Sequence, residues 1–150
     1  MKRFLPILLL VALGRAAAWW PGVGEFDEIL FSGAVLDYDL AQGAPQMPGF
    51  PLWIGLGKAV RAVSGCEPDV ALRLVSALCS VALSWPLYRL ARRLTEDEAA
   101  ALLCVAFFQF QPAVWLHADR AFTTTPALCL LLFAYESATR ARRPEPGSAE

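Results

Sequence analysis

Asp27 and Glu28 form an adjacent carboxylate pair, and Asp119 and Arg120 form an acid–base pair 92 residues further along a 150-residue chain. Carboxylates are the side chains that take a proton from an attacking hydroxyl, and cations nearby are what an anionic leaving group needs. Other ionisable groups accompany them: Glu25, Asp37, Asp39, Glu67 and Asp69, with Lys58 and Arg61 as the further cations of that stretch. On residue type alone the plain reading is a set of solvated loop charges, and Asp119 belongs to a short polar stretch (His117, Asp119, Arg120) that a turn between two apolar segments requires to stay in water. The four cysteines (Cys66, Cys79, Cys104 and Cys129) contain no CxxC pair and have no set of histidines beside them, so no metal centre or disulfide framework is expected. A cysteine inside an apolar helix behaves as a small apolar residue.

These groups are positioned by a chain that is mostly apolar. Hydrophobic residues make up 57% of the sequence and mean hydropathy is +0.45, above the roughly 45–50% apolar share of soluble domains. A net charge of −1 excludes a nucleic-acid or polyanionic partner as the main business of the chain. A helix needs about 20 apolar residues to cross a hydrocarbon core near 30 Å. Four stretches qualify as expected crossings: residues 4–20, 70–90, 99–116 and 121–137. The basic residues then set direction, because short cytoplasmic loops are rich in Lys and Arg. Lys2 and Arg3, then Arg89, Arg92 and Arg93, then Arg140, Arg142 and Arg143 fall on one side if each stretch crosses once, and Glu25, Asp27, Glu28, Asp37, Asp39, Glu67, Asp69 and Asp119 fall on the other. Both termini are thereby expected in the cytoplasm, in a multi-pass protein of the inner (plasma) membrane with a tail at 138–150. Residues 4–20 also fit a cleavable secretory signal, with a basic start and the small run Ala16, Ala17, Ala18; Trp19 and Trp20 fit the interfacial anchor of a retained helix instead. Arg15 is expected to snorkel to the interface or to pair with an external carboxylate.

The external segment, residues 21–69, is too long for a plain connector. Phe26, Ile29, Leu30, Gly33 and Ala34 recur at helical spacing and predict a short amphipathic helix lying along the membrane surface. Pro45, Pro48 and Pro51, with Gly43 and Gly49, impose a turn-rich connector. Pro51 suits the first turn of a second surface helix that runs to about Ser64 and is stopped by Gly65. The fold class expected is therefore an all-α membrane protein, a single transmembrane module of about four crossings plus two short interfacial helices.

Four strings in order, FDE at Phe26 to Glu28, PGFPLW at Pro48 to Trp53, ALRLVSAL at Ala71 to Leu78 and LYRLARRL at Leu87 to Leu94, with a weaker echo in HADRAFTTTPAL from His117 to Leu128, give the chain a resemblance. It is similar to the N-terminal part of the GT-C class of integral membrane glycosyltransferases, the group of protein O-mannosyltransferases and aminoarabinose transferases. The resemblance extends over all of this chain and less than half of a typical member. It implies a polyprenyl-phosphate-linked sugar as donor and an acceptor on the non-cytoplasmic face, with a divalent cation compatible with that chemistry. Asp27 then matches the catalytic acidic residue of the loop motif, Glu28 a supporting acid, and Asp119 a second acid from the next external loop. Arg120, Lys58 and Arg61 are the cations available to the lipid phosphate. The PGFPLW string is expected to brace the loop rather than to do chemistry.

The alternative is a non-catalytic four-helix accessory or assembly protein, a partner of other membrane subunits. Half of a transporter fits less well, because few ionisable residues are expected at mid-membrane depth. The polar tail RARRPEPGSAE reads either as a cytoplasmic end or as a loop cut short.

Overall fold

The computed structural model describes residues 3–19 and 24–141, and among them every regular element is helical. The order is α1 (Phe4–Ala17), α2 (Phe26–Leu36), a 3₁₀ turn (Leu40–Gln42), α3 (Pro51–Ser64), α4 (Pro68–Ala82), α5 (Ser84–Thr95), α6 (Glu98–Phe110), α7 (Pro112–Ala118) and α8 (Thr124–Ala141). Prolines open α3, α4 and α7, where the missing N–H costs nothing. Gly65 ends α3 in the left-handed region at φ 69°. Asp97 starts α6 by accepting hydrogen bonds from the Ala99 and Ala100 amides at 2.6 and 3.1 Å.

The two helices expected in the external segment are α2 and α3, each close to the predicted bounds. The expected crossings fare less evenly. Helices α4 and α5 form one 28-residue rod, Pro68–Thr95, with a mean hydropathy of 1.7 in its most apolar window. At about 1.5 Å per residue it is long enough for a bilayer. Pro86 lacks the N–H that would bond the Ala82 carbonyl, which accounts for the turn at Leu83 within the rod. The expected first crossing, 4–20, is shorter as a helix: α1 has 14 residues, and Trp20 lies outside the described residues. The expected third crossing, 99–116, is corrected to two helices bent by 63°. Gln111 precedes a proline and is therefore held extended at ψ 143°, which ends α6. The expected fourth, 121–137, starts at Thr124 instead, which keeps Pro126 in the first turn, where its missing N–H costs nothing and its ring meets no helical carbonyl. By length and composition, one helix among the described residues can cross a membrane, or two if the bent pair is a broken span.

The α4–α5 rod is the centre of the packing and touches every other α-helix. Its first half joins an apolar core with Phe31, Ala34 and Val35 of α2, Trp53 and Ile54 of α3, its own Leu72 and Val75, and Ala121. Its last turns join a second core in which Tyr88 and Ala91 meet Phe4, Ala101 and Val105. Phe50, held at φ 43°, sets its ring edge-on to Phe31 at 5.2 Å. The PGFPLW segment thus packs against α2. Close approach of α3 to the rod depends on Gly57, where an added Cβ would lie 2.5 Å from Leu72 Cδ2 and 2.9 Å from Val35 Cγ2. Gly57→Val is expected to lower stability by about 1–3 kcal/mol, read as a fall in the melting temperature of the detergent-solubilised protein; an unchanged melt would disprove this packing.

Candidate active site

The first structural event at the acidic pair is that Glu28 is fully buried. Its Oε2 accepts hydrogen bonds from the backbone N–H of Gly24 at 2.7 Å and of Glu25 at 3.2 Å. Its Oε1 accepts from the N–H of Ala121 at 3.0 Å, and Arg120 Nη1 lies 3.3 Å from Oε2. One carboxylate therefore closes the first turn of α2 and fastens it to the α7–α8 connection, 93 residues away. Burial pushes the Glu28 carboxyl up, but the Gly24 and Ala121 amides and the Arg120 and Arg73 guanidinium groups outweigh it and hold it below the ordinary glutamate value.

Asp27 is in the opposite condition. It is half-buried and makes no hydrogen bond or ion pair with the described residues. The two acids differ because consecutive helical residues point about 100° apart: turning Glu28 into the loop junction leaves its neighbour on another face. A carboxylate that satisfies three backbone donors and an arginine is committed to structure, whereas Asp27 keeps its lone pairs for something else.

The other sequence-derived residues separate into two groups. Asp119 and Arg120 come to the same junction, Arg120 directly on Glu28, and Asp119 as the opposite charge acting on Arg15. Lys58 and Arg61 stand on the exposed face of α3, where the Lys58 ammonium lies 5.9 Å over the Tyr38 ring. No contact among the described residues joins them to Glu28 or Arg120.

Two buried arginines extend the junction into the helices. Arg73 of α4 is 2% exposed, and its guanidinium carbon lies 5.9 Å from the centre of the Trp19 ring. Arg15 of α1 is 3% exposed, and its hydrogen-bond partners are not carboxylates. Its Nε donates to Ser80 Oγ at 3.1 Å, and its Nη2 donates to both the backbone and side-chain oxygens of Gln109 at 2.9 Å. Gln109 in turn donates to the Ser80 carbonyl at 2.8 Å and to Ser84 Oγ at 2.7 Å. Trp115 covers the Arg15 guanidinium at 4.8 Å. A polar layer thus crosses α1, the α4–α5 rod and α6 between the two apolar cores.

Sequence reasoning did not single out Arg73 or Gln109. A signal for Arg73 was present, since an arginine inside an apolar span is costly and tends to be functional; Gln109 had no such mark.

An apolar groove of about 200 Å³ runs beside the junction, lined among others by Phe50, Trp53 and Leu56 and by Pro126 and Leu130 of α8. The arrangement thus offers an uncommitted carboxylate, fixed guanidinium groups and an apolar channel within a few residues of one another. Among the described residues no three His, Cys, Asp or Glu side chains gather to hold a metal ion.

Residues 46–146, about two thirds of the chain, match the family model described as dolichyl-phosphate-mannose-protein mannosyltransferase. The matched stretch takes in Arg73, Asp119 and Arg120 and starts after Asp27 and Glu28. No curated protein and no solved structure matches the chain.

Proposed function

The chain belongs to the dolichyl-phosphate-mannose-protein mannosyltransferase family, and from that premise we propose that it is a glycosyltransferase module that moves a sugar from a polyprenyl-phosphate carrier to an acceptor hydroxyl at the non-cytoplasmic face of the membrane. In this reading the acceptor oxygen attacks the anomeric carbon, the bond from that carbon to the phosphate oxygen breaks, and the lipid phosphate departs with the bonding electrons. Asp27 takes the acceptor proton as the new bond forms. Arg120, with Arg73 behind it, faces the negative charge that grows on the phosphate. Asp119 stands as the second acid, Glu28 acts by holding the two loops together, and the groove beside Trp53 and Pro126 gives the prenyl chain an apolar path. Lys58 and Arg61 sit further out, suited to a first encounter with an anionic donor.

The observation that carries this reading is the asymmetry of the acidic pair, one carboxylate clamped at a junction rich in arginine and its neighbour, one residue before it on another face of α2, without a hydrogen bond or ion pair among the described residues. The test is transfer of labelled sugar from a polyprenyl-phosphate donor in membranes containing the protein. Turnover above protein-free membranes is the expected result, and its absence from a correctly inserted protein would favour the non-catalytic accessory reading.

The placement needs four crossings with residues 21–69 outside and both termini inside. The module is then TM segments near 4–20, 68–95, 98–118 and 124–141, the third of them broken. A reporter inserted near Gly43, in the turn where φ is 74°, is expected to be active outside the cytoplasm and silent within it. A cytosolic signal there would overturn the orientation and with it the site.

A further inference from the structure

A second charged cluster lies about 30 Å along the rod from Arg73, at the end where the basic residues collect. Glu136 of α8 is 5% exposed, and one of its oxygens, Oε1, receives three arginines: Arg89 Nε at 3.0 Å, Arg93 Nη2 at 2.5 Å and Arg140 Nε at 2.5 Å. Arg93 also donates to Thr139 Oγ1 at 2.7 Å. Three guanidinium charges meet one carboxylate, which leaves two in excess, and the exposed Arg92 adds a third; the exposed acids that follow, Glu96 and Asp97, form no ion pair with any of them. These charges border a groove of about 450 Å³ lined by Trp85, Tyr88, Arg89, Arg92 and Arg93. Its aromatic wall is rigid: Trp85 and Tyr88 stack at 6.3 Å, and Phe4 packs on both, at 5.7 and 4.8 Å. The Arg89 guanidinium lies 5.7 Å over the Trp85 ring.

We propose that this groove binds the headgroup phosphate of an anionic phospholipid in the leaflet that the arginines face. A topology signal needs only a count of basic residues. Here the arginines are fixed in place by a buried glutamate, and their unspent charge opens on a groove with an aromatic wall. Guanidinium groups bind phosphate oxygens in pairs, and Trp and Tyr settle at the depth where acyl chains give way to headgroups. A free phosphate ion would leave the aromatic wall unused. The proposal rests on the membrane reading of the chain and is independent of any transferase activity.

The test uses the full chain in nanodiscs of phosphatidylcholine with a minor share of phosphatidylglycerol, extracted into mild detergent, with retained lipid identified by native mass spectrometry. The wild type is expected to retain phosphatidylglycerol well above its share. Arg89→Gln with Arg92→Gln is expected to cut that enrichment by about 25-fold, since each arginine near a lipid surface contributes roughly fivefold. Arg89→Lys with Arg92→Lys is expected to lose a clear part of it too, because an ammonium keeps the charge and cannot form the paired bonds. Arg93 and Arg140 still hold Glu136 in both variants, and should the double change lower the melting temperature, Arg92→Gln alone is expected to cause about a fivefold fall. Unchanged enrichment in the glutamine variants would overturn the site. Equal displacement of the lipid by millimolar inorganic phosphate would overturn the choice of a lipid over a soluble ion.

Discussion

Asp27→Asn is expected to lower sugar transfer by about 10²–10⁴-fold, the usual contribution of a positioned general base, while leaving membrane insertion and the melting temperature unchanged. Asparagine has nearly the same shape as aspartate and cannot take a proton near neutral pH. The substitution removes no hydrogen bond or ion pair with the described residues, only a charge in the first turn of α2, worth well under about 1 kcal/mol at an exposed helix start. Structural cost and chemical cost are therefore separable at this position to a degree that few acidic residues permit. If the base acts only in the step that forms the new bond, kcat should fall and the KM for the donor should stay close to wild type. Transfer at the wild-type rate in the Asn variant would remove Asp27 from the mechanism. A parallel loss of folded protein would instead assign it a structural role that its surroundings do not show.

The outline of this molecule was legible in the chain because its punctuation is strong. Prolines at 51, 68 and 112 open helices, Gly65 closes one, and apolar residues at helical spacing mark α2 and α3. Hydropathy did not register the break in the third expected span. A window average over residues 99–116 sees an unbroken apolar run, whereas the backbone at Gln111 answers to the proline that follows it. The candidate site was legible as residues but not as roles. Asp27 and Glu28 are neighbours of nearly equal chemistry, and only the fold, by bringing the Ala121 amide and Arg120 onto one of them, makes that one a clamp and leaves the other free. The arginines show the same limit from another side. Arg15 reads as a residue that should snorkel or pair with a carboxylate, yet its hydrogen-bond partners are a serine and a glutamine 65 and 94 residues away. A burial of that kind depends on which helices pack together, and local composition does not record it.

The clamp itself carries the second large effect. Glu28→Ala is expected to cost about 3 kcal/mol of stability and to reduce transfer even though Glu28 touches no substrate. The expected loss can be divided between its contacts. Arg120 is about one third exposed, with a side-chain accessibility of 31%, so its ion pair contributes only about 1 kcal/mol or less after solvent screening. Gly24 and Glu25 are exposed, and water can replace the carboxylate at their amides. The Ala121 amide is buried, and stripping its charged acceptor leaves a polar group without a partner, which accounts for the larger share. Arg120→Ala should therefore destabilise the fold clearly less than Glu28→Ala, and comparable losses in chemical or thermal unfolding would show that the ion pair, not the backbone bonds, holds the loops. Acid gives an independent check. Because the folded carboxyl titrates below its unfolded value of 4.5, its contribution is fully present above that value and is lost as pH falls through the lower folded one. The wild-type melting temperature should thus decline more steeply below about pH 4.5 than that of Glu28→Gln, since glutamine has no proton to gain and the other carboxylates are common to both. Identical acid profiles for the two proteins would mean that the carboxylate is not the residue joining α2 to the α7–α8 connection.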